Sequence, residues 1–416
     1  MGFFKKILDR KQLEITILSI FSGMPLGIIF STLYAWLAEE KIDIAIITGF
    51  AASRIFYSLK FIWAPFIDQI KIPVLGKIGH RKSWMIIIAA AIAAILFEMS
   101  SSSPSSSLTK LYALTMALGF ASASFDIVFD AFRLEKLEPA MQAVGAANAA
   151  TGYRIGLVVV GTGALYFADL YGWESTFITI SMFYVAVIFY IFSVKEVAVV
   201  RKPFIASSPQ SWKIMMLDPF IDFFKRDAAI LMLLAVIFFK FGDAMLGVVA
   251  MPFYIELGFT KTEIALVSKS FGVVMTILGT YFGSYIMYKM GNYKGLLIGG
   301  IAQSITNASF IWLNHMGHDV SAFMIAIVIE NVASGMGNAA LIGYLSAICN
   351  RQFSATQYAL FASAAGLFSK TVVIWGGSLV KLMGWDLYFL MTILLAIPGL
   401  ILLLILNKKL DVKIHS

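Results

Sequence analysis

The chain has 416 residues, 60% of them hydrophobic and 13% charged, with a formal net charge of +8 and a mean hydropathy of +0.85. A soluble domain carries about 25% charged residues, so this composition excludes a water-soluble globule and points to an all-α protein that crosses a bilayer many times. One cysteine, Cys349, excludes an intrachain disulfide. The four histidines show no ligand spacing, so neither a metal site nor a cofactor is expected.

The opening KKILDRKQ and the apolar run behind it have the outline of a signal peptide. That run is too long for one, and Trp36, Leu37, Glu39 and Glu40 stand where small residues would mark cleavage, so it is expected to be an uncleaved first span. Twelve spans are expected, over 13–37, 44–67, 83–98, 111–132, 143–167, 174–194, 229–253, 262–287, 294–313, 321–347, 355–380 and 386–406. The Ser-rich run 100–107 is expected as an exposed, functionless loop. Segment 195–228, with Pro203, Pro209 and Pro219, is expected as a cytoplasmic linker with a short surface helix over 211–225. It separates a six-helix bundle over 1–194 from a second over 229–416. The stretch 140–150 matches 355–365 at five of eleven positions, Gln142 falling on Gln357, and each opens the fifth span of its half. Two six-helix halves related by a repeat are a transporter plan with its site near the midplane. Alternate connections starting at the N-terminus hold 22 Lys and Arg, and the opposite ones hold 4. That bias puts both termini in the cytoplasm, and it accounts for the basic charge without nucleic acid.

Charged residues inside spans are costly and mark pathways or partners. Asp126 and Asp130 lie four apart in an apolar run, on one helical face, with Arg133 a turn beyond. They read either as a proton or ion route or, for Asp130 with Arg133, as a helix-end ion pair. Arg54 and Arg154 lie near the middle of spans two and five. Each needs an anion, either a protein carboxylate such as Asp126 or a bound substrate. Lys60, nearer a span end, is expected to snorkel. Lys240 and Asp243 share a face of span seven and read as a proton-exchanging or a static pair. Glu330, beside Asn331, is a further protonation candidate, while Lys269 and Lys370 have no assignable partner. Spans one, seven and ten hold Ser22, Gly23 and Pro25, then Gly247 and Pro252, then Gly335, Gly337 and Gly343, which suit bending or close packing. Of the aromatics Tyr34, Trp36, Trp63 and Tyr153, the two tryptophans fit interface anchors, and the tyrosines can stack on sugar rings.

The loop after span two, Ala64-Pro-Phe-Ile-Asp68 and then Gly79-His-Arg81-Lys82, resembles the major facilitator signature, with Ala64 for its first glycine, Gln69 for a basic residue and an insertion between. A carboxylate set against basic residues across a loop is a latch between helices. Ser22-Gly-Met-Pro-Leu26, Ser58-Leu-Lys-Phe-Ile-Trp-Ala-Pro-Phe-Ile-Asp68 and Asp126-Ile-Val-Phe-Asp-Ala-Phe-Arg133 resemble the AmpG muropeptide permeases of that superfamily. So do Lys240-Phe-Gly-Asp243, Pro252-Phe-Tyr-Ile-Glu-Leu-Gly-Phe259, Glu330-Asn331 with Gly335-Met-Gly337, and Cys349-Asn-Arg-Gln-Phe-Ser-Ala-Thr-Gln-Tyr-Ala359. The S-L-K-x-x-W-A-P block is shared with acetyl-CoA transporters. The resemblance implies a major facilitator fold and proton-driven import of anhydro-muropeptides (GlcNAc-anhydromuramyl peptides) across a bacterial inner membrane by alternating access. With the depth of the charges, it makes Asp126, Asp130, Asp243 and Glu330 the proton-coupling candidates. Arg54, Arg154, Lys240, Tyr34 and Tyr153 are the substrate-binding candidates, and Asp68, Arg81, Lys82 and Arg133 the gating ones. A monomer working with substrate, protons and lipid is expected, not an enzyme. The competing expectation is the same fold carrying another anionic solute, such as acetyl-CoA or a sugar phosphate.

Overall fold

The computed structural model describes residues 2–197, 199, 209–372 and 375–410, and among them every regular element is helical. The twelve expected spans appear as α1 (Arg10–Glu39), α2 (44–69), α3 (His80–Ser100), α4 (Pro104–Lys136), α5 (139–171), α6 (173–193), α7 (Ala229–Glu256), α8 (Lys261–Met290), α9 (Asn292–Met316), α10 (Val320–Ile348), α11 (354–372 and 376–383) and α12 (385–410). The expected surface helix is present as a linker helix, Pro209–Phe224. The Ser-rich run is not a free loop: Pro104 starts α4, and Ser107 reaches back to the Ser103 carbonyl at 2.8 Å. Proline fits the first turn of a helix because its missing N–H would have had no partner there.

Two compact units divide the chain. The first contains residues 1–137, 148–220 and 349–363, and the second contains 138–147, 221–348 and 364–416. In the first unit α1 and α5 approach closely. A Cβ on Gly156 would meet the Ile20 carbonyl oxygen at 2.1 Å, and one on Gly23 would meet that of Tyr153 at 2.3 Å. Gly23 and Gly27 face this contact from α1, and Gly152 and Gly156 from α5, so two four-residue glycine spacings meet. Helices in lipid gain little hydrophobic free energy by associating, and such small-residue faces replace it with dispersion contact. Beyond the contact both helices relax into π-turns, at Ile28–Thr32 and Val159–Gly163, cross-linked by Thr32 Oγ1 donating to the Val160 carbonyl at 2.5 Å. The second unit repeats the device, with Gly279 and Gly283 of α8 against Val332 and Met336 of α10, and Gly337 near Gly299 of α9.

Two elements and one residue differ from expectation. α2 is broken by 3-10 turns at Phe50–Arg54 and Lys60–Ile62, although no glycine or proline lies within 50–62. α7 breaks at Lys240 (φ −97°, ψ −1°) and not at Gly247 or Pro252. Trp36 is 4% exposed, stacked on Trp173 and packed against Phe177, so it is a core residue of the first unit and not an interface anchor.

The same kind of corner occurs once within each unit. α5 gives way to α6 at Gly172 (φ +78°), and α11 to α12 at Gly384 (φ +76°). These are left-handed values that glycine reaches at no steric cost. In both places the next residue is tryptophan. Trp173 donates its indole N–H to Glu39 at 2.8 Å, and Trp385 donates to Glu256 at 2.9 Å. Each bond ties the first helix of its half to the last.

Candidate functional site

In the first unit the intramembrane charges form a ladder along one face of α4. Asp126 is buried and accepts a short hydrogen bond from Ser22 of α1. One turn along, Asp130 lies 3.9 Å from Lys60 Nζ of α2 and 3.7 Å from Arg133 Nη2. Lys60 is 7% exposed and does not snorkel to a surface. The break of α2 at Lys60 turns it inward, where a cation in a low-dielectric interior requires an anion. The same face of α4 is read by Tyr57, whose hydroxyl donates to Ser122 Oγ at 2.7 Å. Tyr153 of α5 stands within coulombic range of both carboxylates.

Arg54 and Arg154 differ from these. Arg54 closes the first 3-10 turn of α2 and is exposed, its guanidinium over the Phe30 ring at 4.2 Å. Tyr34 meets the same ring edge-on at 5.7 Å. Among the described residues no carboxylate pairs with Arg54, so the alternative of an Arg54–Asp126 pair does not hold. Arg154, on α5, has a buried Nη1 with no hydrogen-bond partner, and no ion pair reaches it among the described residues. A buried N–H without an acceptor is costly, so Arg154, and beside it the exposed Arg54, are intramembrane cations of this unit with capacity left for an anion.

At the far end of α4 the signature residues form a sealed knot. Arg81 has no exposed surface. Its Nη2 is 2.6 Å from Asp68 and 2.7 Å from Glu135, its Nε is 3.1 Å from Glu135, and its Nη1 donates to the Ile67 carbonyl at 3.0 Å. Asp68 also accepts from the backbone N–H of Ala355 at 3.1 Å, and from the N–H and hydroxyl of Thr356 at 2.7 and 2.6 Å. It therefore caps the start of α11. One cation faces two carboxylates here, and the positive end of the α11 dipole helps to balance the excess. Lys82 donates to the Phe192 carbonyl at 2.9 Å, and Arg133 lies over the Tyr358 ring at 5.4 Å. Reasoning from the sequence missed Glu135, which shares Arg81, and Glu196, which accepts the N–H groups of both Arg81 and Lys82 at 2.9 Å. Glu196 lies more than a hundred residues from its partners, so nothing local signals it. It missed Glu14 as well, a buried carboxylate paired with Lys136. A Glu inside the first apolar run was a signal that could have found it.

In the second unit Lys240 and Asp243 pair at 3.0 Å beside a cavity of about 220 Å³ that Ala365 and Gly366 also line. Glu330 lies within coulombic range of both. Its carboxylate accepts from Asn331 at 2.8 Å, and Asn331 accepts from Thr276 at 2.6 Å. The side chains of Lys269 and Lys370 lie outside the described residues. No group of three or more metal-ligating side chains occurs among the described residues.

Comparison with known proteins decides the family. The sequence matches the Major Facilitator Superfamily over residues 15–316 and again over 232–414. It is 51% identical over 406 residues, covering 97% of this chain and 98% of the relative, to a Rickettsia felis protein carrying the transporter name AmpG 4. It is 32% identical over 400 residues to the anhydromuropeptide permease of Escherichia coli K12, covering 95% of this chain and 79% of that one. The chain belongs to the Major Facilitator Superfamily, in its AmpG branch. This AmpG-type permease shares its fold with the human organic anion transporter MFSD10 (TM-score 0.70, 12% identity, 95% and 100% of the two chains). It shares it also with the proton:xylose symporter XylE (TM-score 0.66, 12% identity, 98% and 95%). It is a multi-pass membrane transporter, not an enzyme.

Proposed function

We propose that this permease imports anhydro-muropeptides across a bacterial cytoplasmic membrane, driven by protons and working by alternating access, with both termini in the cytoplasm. The observation that carries the reading is Arg154, a cation inside a span whose buried Nη1 has no partner among the described residues. A stem-peptide carboxylate supplies the missing acceptor, and Arg54 offers a second cation. Tyr34 and Tyr153 offer ring faces to the sugars, while Lys240, already paired with Asp243, takes part by exchanging that partner. The similarity to the E. coli anhydromuropeptide permease over 95% of the chain supports the choice of substrate. Proton coupling is assigned to Asp126 and Asp130, with Asp243 and Glu330 in the second unit. Asp126, held by the Ser22 hydroxyl, and Asp130, at 3.7–3.9 Å from its two cations, exchange a partner for a proton more readily than Asp68, locked by the Arg81 guanidinium at 2.6 Å. Asp68, Arg81, Lys82 and Arg133 serve as the gate.

Uptake of labelled GlcNAc-anhydromuramyl tripeptide into inverted and right-side-out vesicles tests this. Accumulation is expected with an inward proton gradient and is expected to vanish when that gradient is collapsed. Uptake unaffected by collapse sinks the coupling. Full competition by acetyl-CoA or a sugar phosphate, with none by unlabelled muropeptide, sinks the substrate.

A further inference from the structure

One apolar hollow of the first unit lies apart from the charged ladder. It lies among α2, α3 and α4, has a volume of about 660 Å³, and its walls include Trp63, Phe66, Trp84, Ile88, Phe120 and Ala121. Its few polar atoms are already engaged. The Trp63 indole donates to Ser124 Oγ at 3.0 Å, Ser124 donates to the Phe120 carbonyl at 2.8 Å, and Trp84 donates to the Ile70 carbonyl at 3.0 Å. A polar ligand therefore finds no donor there. Water finds too few partners to remain in such a space, and an empty space loses dispersion contact along its whole lining. Ile87 and Phe120 on its walls are 39% and 44% exposed, so the hollow opens toward acyl chains.

One end of it is basic. Ile70, which lines the hollow, is followed by Lys71, whose stem lies over Gly76, and Lys77 comes next. Phe66 of the hollow meets Trp212 of the linker helix at 6.3 Å, and Lys213 follows. Lys71, Lys77 and Lys213 are all exposed, and among the described residues none of them pairs with a carboxylate. Along the same helix Trp212, Ile214 and Leu217 are exposed while Met215 is buried. A helix with apolar residues on its outer side lies at headgroup depth, where tryptophan and lysine are common.

We propose that this hollow holds an acyl chain of one anionic phospholipid, with the headgroup against Lys71, Lys77 and Lys213. Lysines clustered beside a cleft between membrane helices favour anionic headgroups over zwitterionic ones, and the apolar hollow holds the tail in place.

Native mass spectrometry of the full chain, reconstituted in equal amounts of phosphatidylglycerol and phosphatidylethanolamine, tests it. One retained phosphatidylglycerol is expected, preferred about tenfold. The triple variant Lys71→Gln, Lys77→Gln, Lys213→Gln is expected to keep one lipid but lose the preference. Ala117→Trp, on an exposed part of the wall, is expected to expel the lipid. Equal retention of the two lipids by the unaltered protein, or an unchanged lipid in Ala117→Trp, overturns the proposal. Phosphatidylglycerol with a photoreactive tail removes any dependence on variant folding. On the unaltered protein it should cross-link to 84–95 and 117–124, and cross-links confined to other segments overturn the assignment.

Discussion

At the scale of single residues the site turns on which charges already have partners. Asp126 has Ser22 and Asp130 has Lys60 and Arg133, whereas Arg154 has a buried nitrogen with none among the described residues. An unsatisfied buried donor costs about 1–3 kcal/mol. Arg154→Met, which keeps the bulk and removes the charge, is therefore expected to raise stability by about 1 kcal/mol while uptake falls below detection. Thermal unfolding in detergent, beside vesicle uptake, checks both, and a destabilised Arg154→Met would mean that the protein itself partners the guanidinium. Asp126→Asn makes the opposite test. The amide oxygen still accepts from Ser22, so folding is expected to survive. Accumulation driven by the proton gradient is expected to stop while downhill exchange of substrate continues. The positions of Asp126 and Asp130 were legible because a carboxylate in an apolar run stands out. The fates of Lys60 and Arg54 were not, since both depend on how α2 breaks, and a run without glycine or proline gives no local cue to that.

At the scale of elements, close packing sets the frame that holds the ladder. Gly156 and Gly23 have no room for a methyl, while a Cβ on Gly247 would meet nothing within 4 Å. Gly156→Ala is expected to destabilise by about 1–3 kcal/mol through overpacking, and Gly247→Ala to leave unfolding unchanged. Equal effects of the two substitutions would show that the α1–α5 contact is not tight in solution. The corner bonds make a second pair. Trp173→Phe and Trp385→Phe each remove one indole–carboxylate bond, a hydrogen bond to a charged acceptor worth about 1.5–3 kcal/mol. Exposure discounts that, so a loss nearer 0.5–1 kcal/mol is expected for each. Because the two bonds lie in separate units, the losses should add in the double variant. The pairs Gly172-Trp173 and Gly384-Trp385 were present in the sequence all along. Nothing there linked them to Glu39 and Glu256, more than a hundred residues away, so the corner was not expected from the sequence.

For the whole molecule, hydropathy and charge bias were enough to give twelve helices, because the bilayer restricts a spanning chain to very few solutions. They could not show that α11 begins inside the first unit, because that placement rests on contacts between residues more than two hundred positions apart, those of Asp68 and Glu135 among them. Asp68 caps α11 through three hydrogen bonds and pairs with Arg81, and the native thiol of Cys349, five residues before Ser354, is buried at 8% exposure in the same unit. Asp68→Asn removes the charge but not the volume. Arg81 keeps Glu135, so no cation is left bare and the fold should hold. Hydrogen bonds to a charged group are worth about 1.5–3 kcal/mol, and each 1.4 kcal/mol is about tenfold in an equilibrium. If release of the α11 start is what exposes Cys349, its maleimide labelling in Asp68→Asn should quicken by about ten- to a hundredfold. Asp169→Asn, on an exposed stretch of α5, should label at the original rate. Equal labelling in Asp68→Asn and the unaltered chain would show that this carboxylate does not hold the start of α11 closed, and the gating role proposed for it would fall.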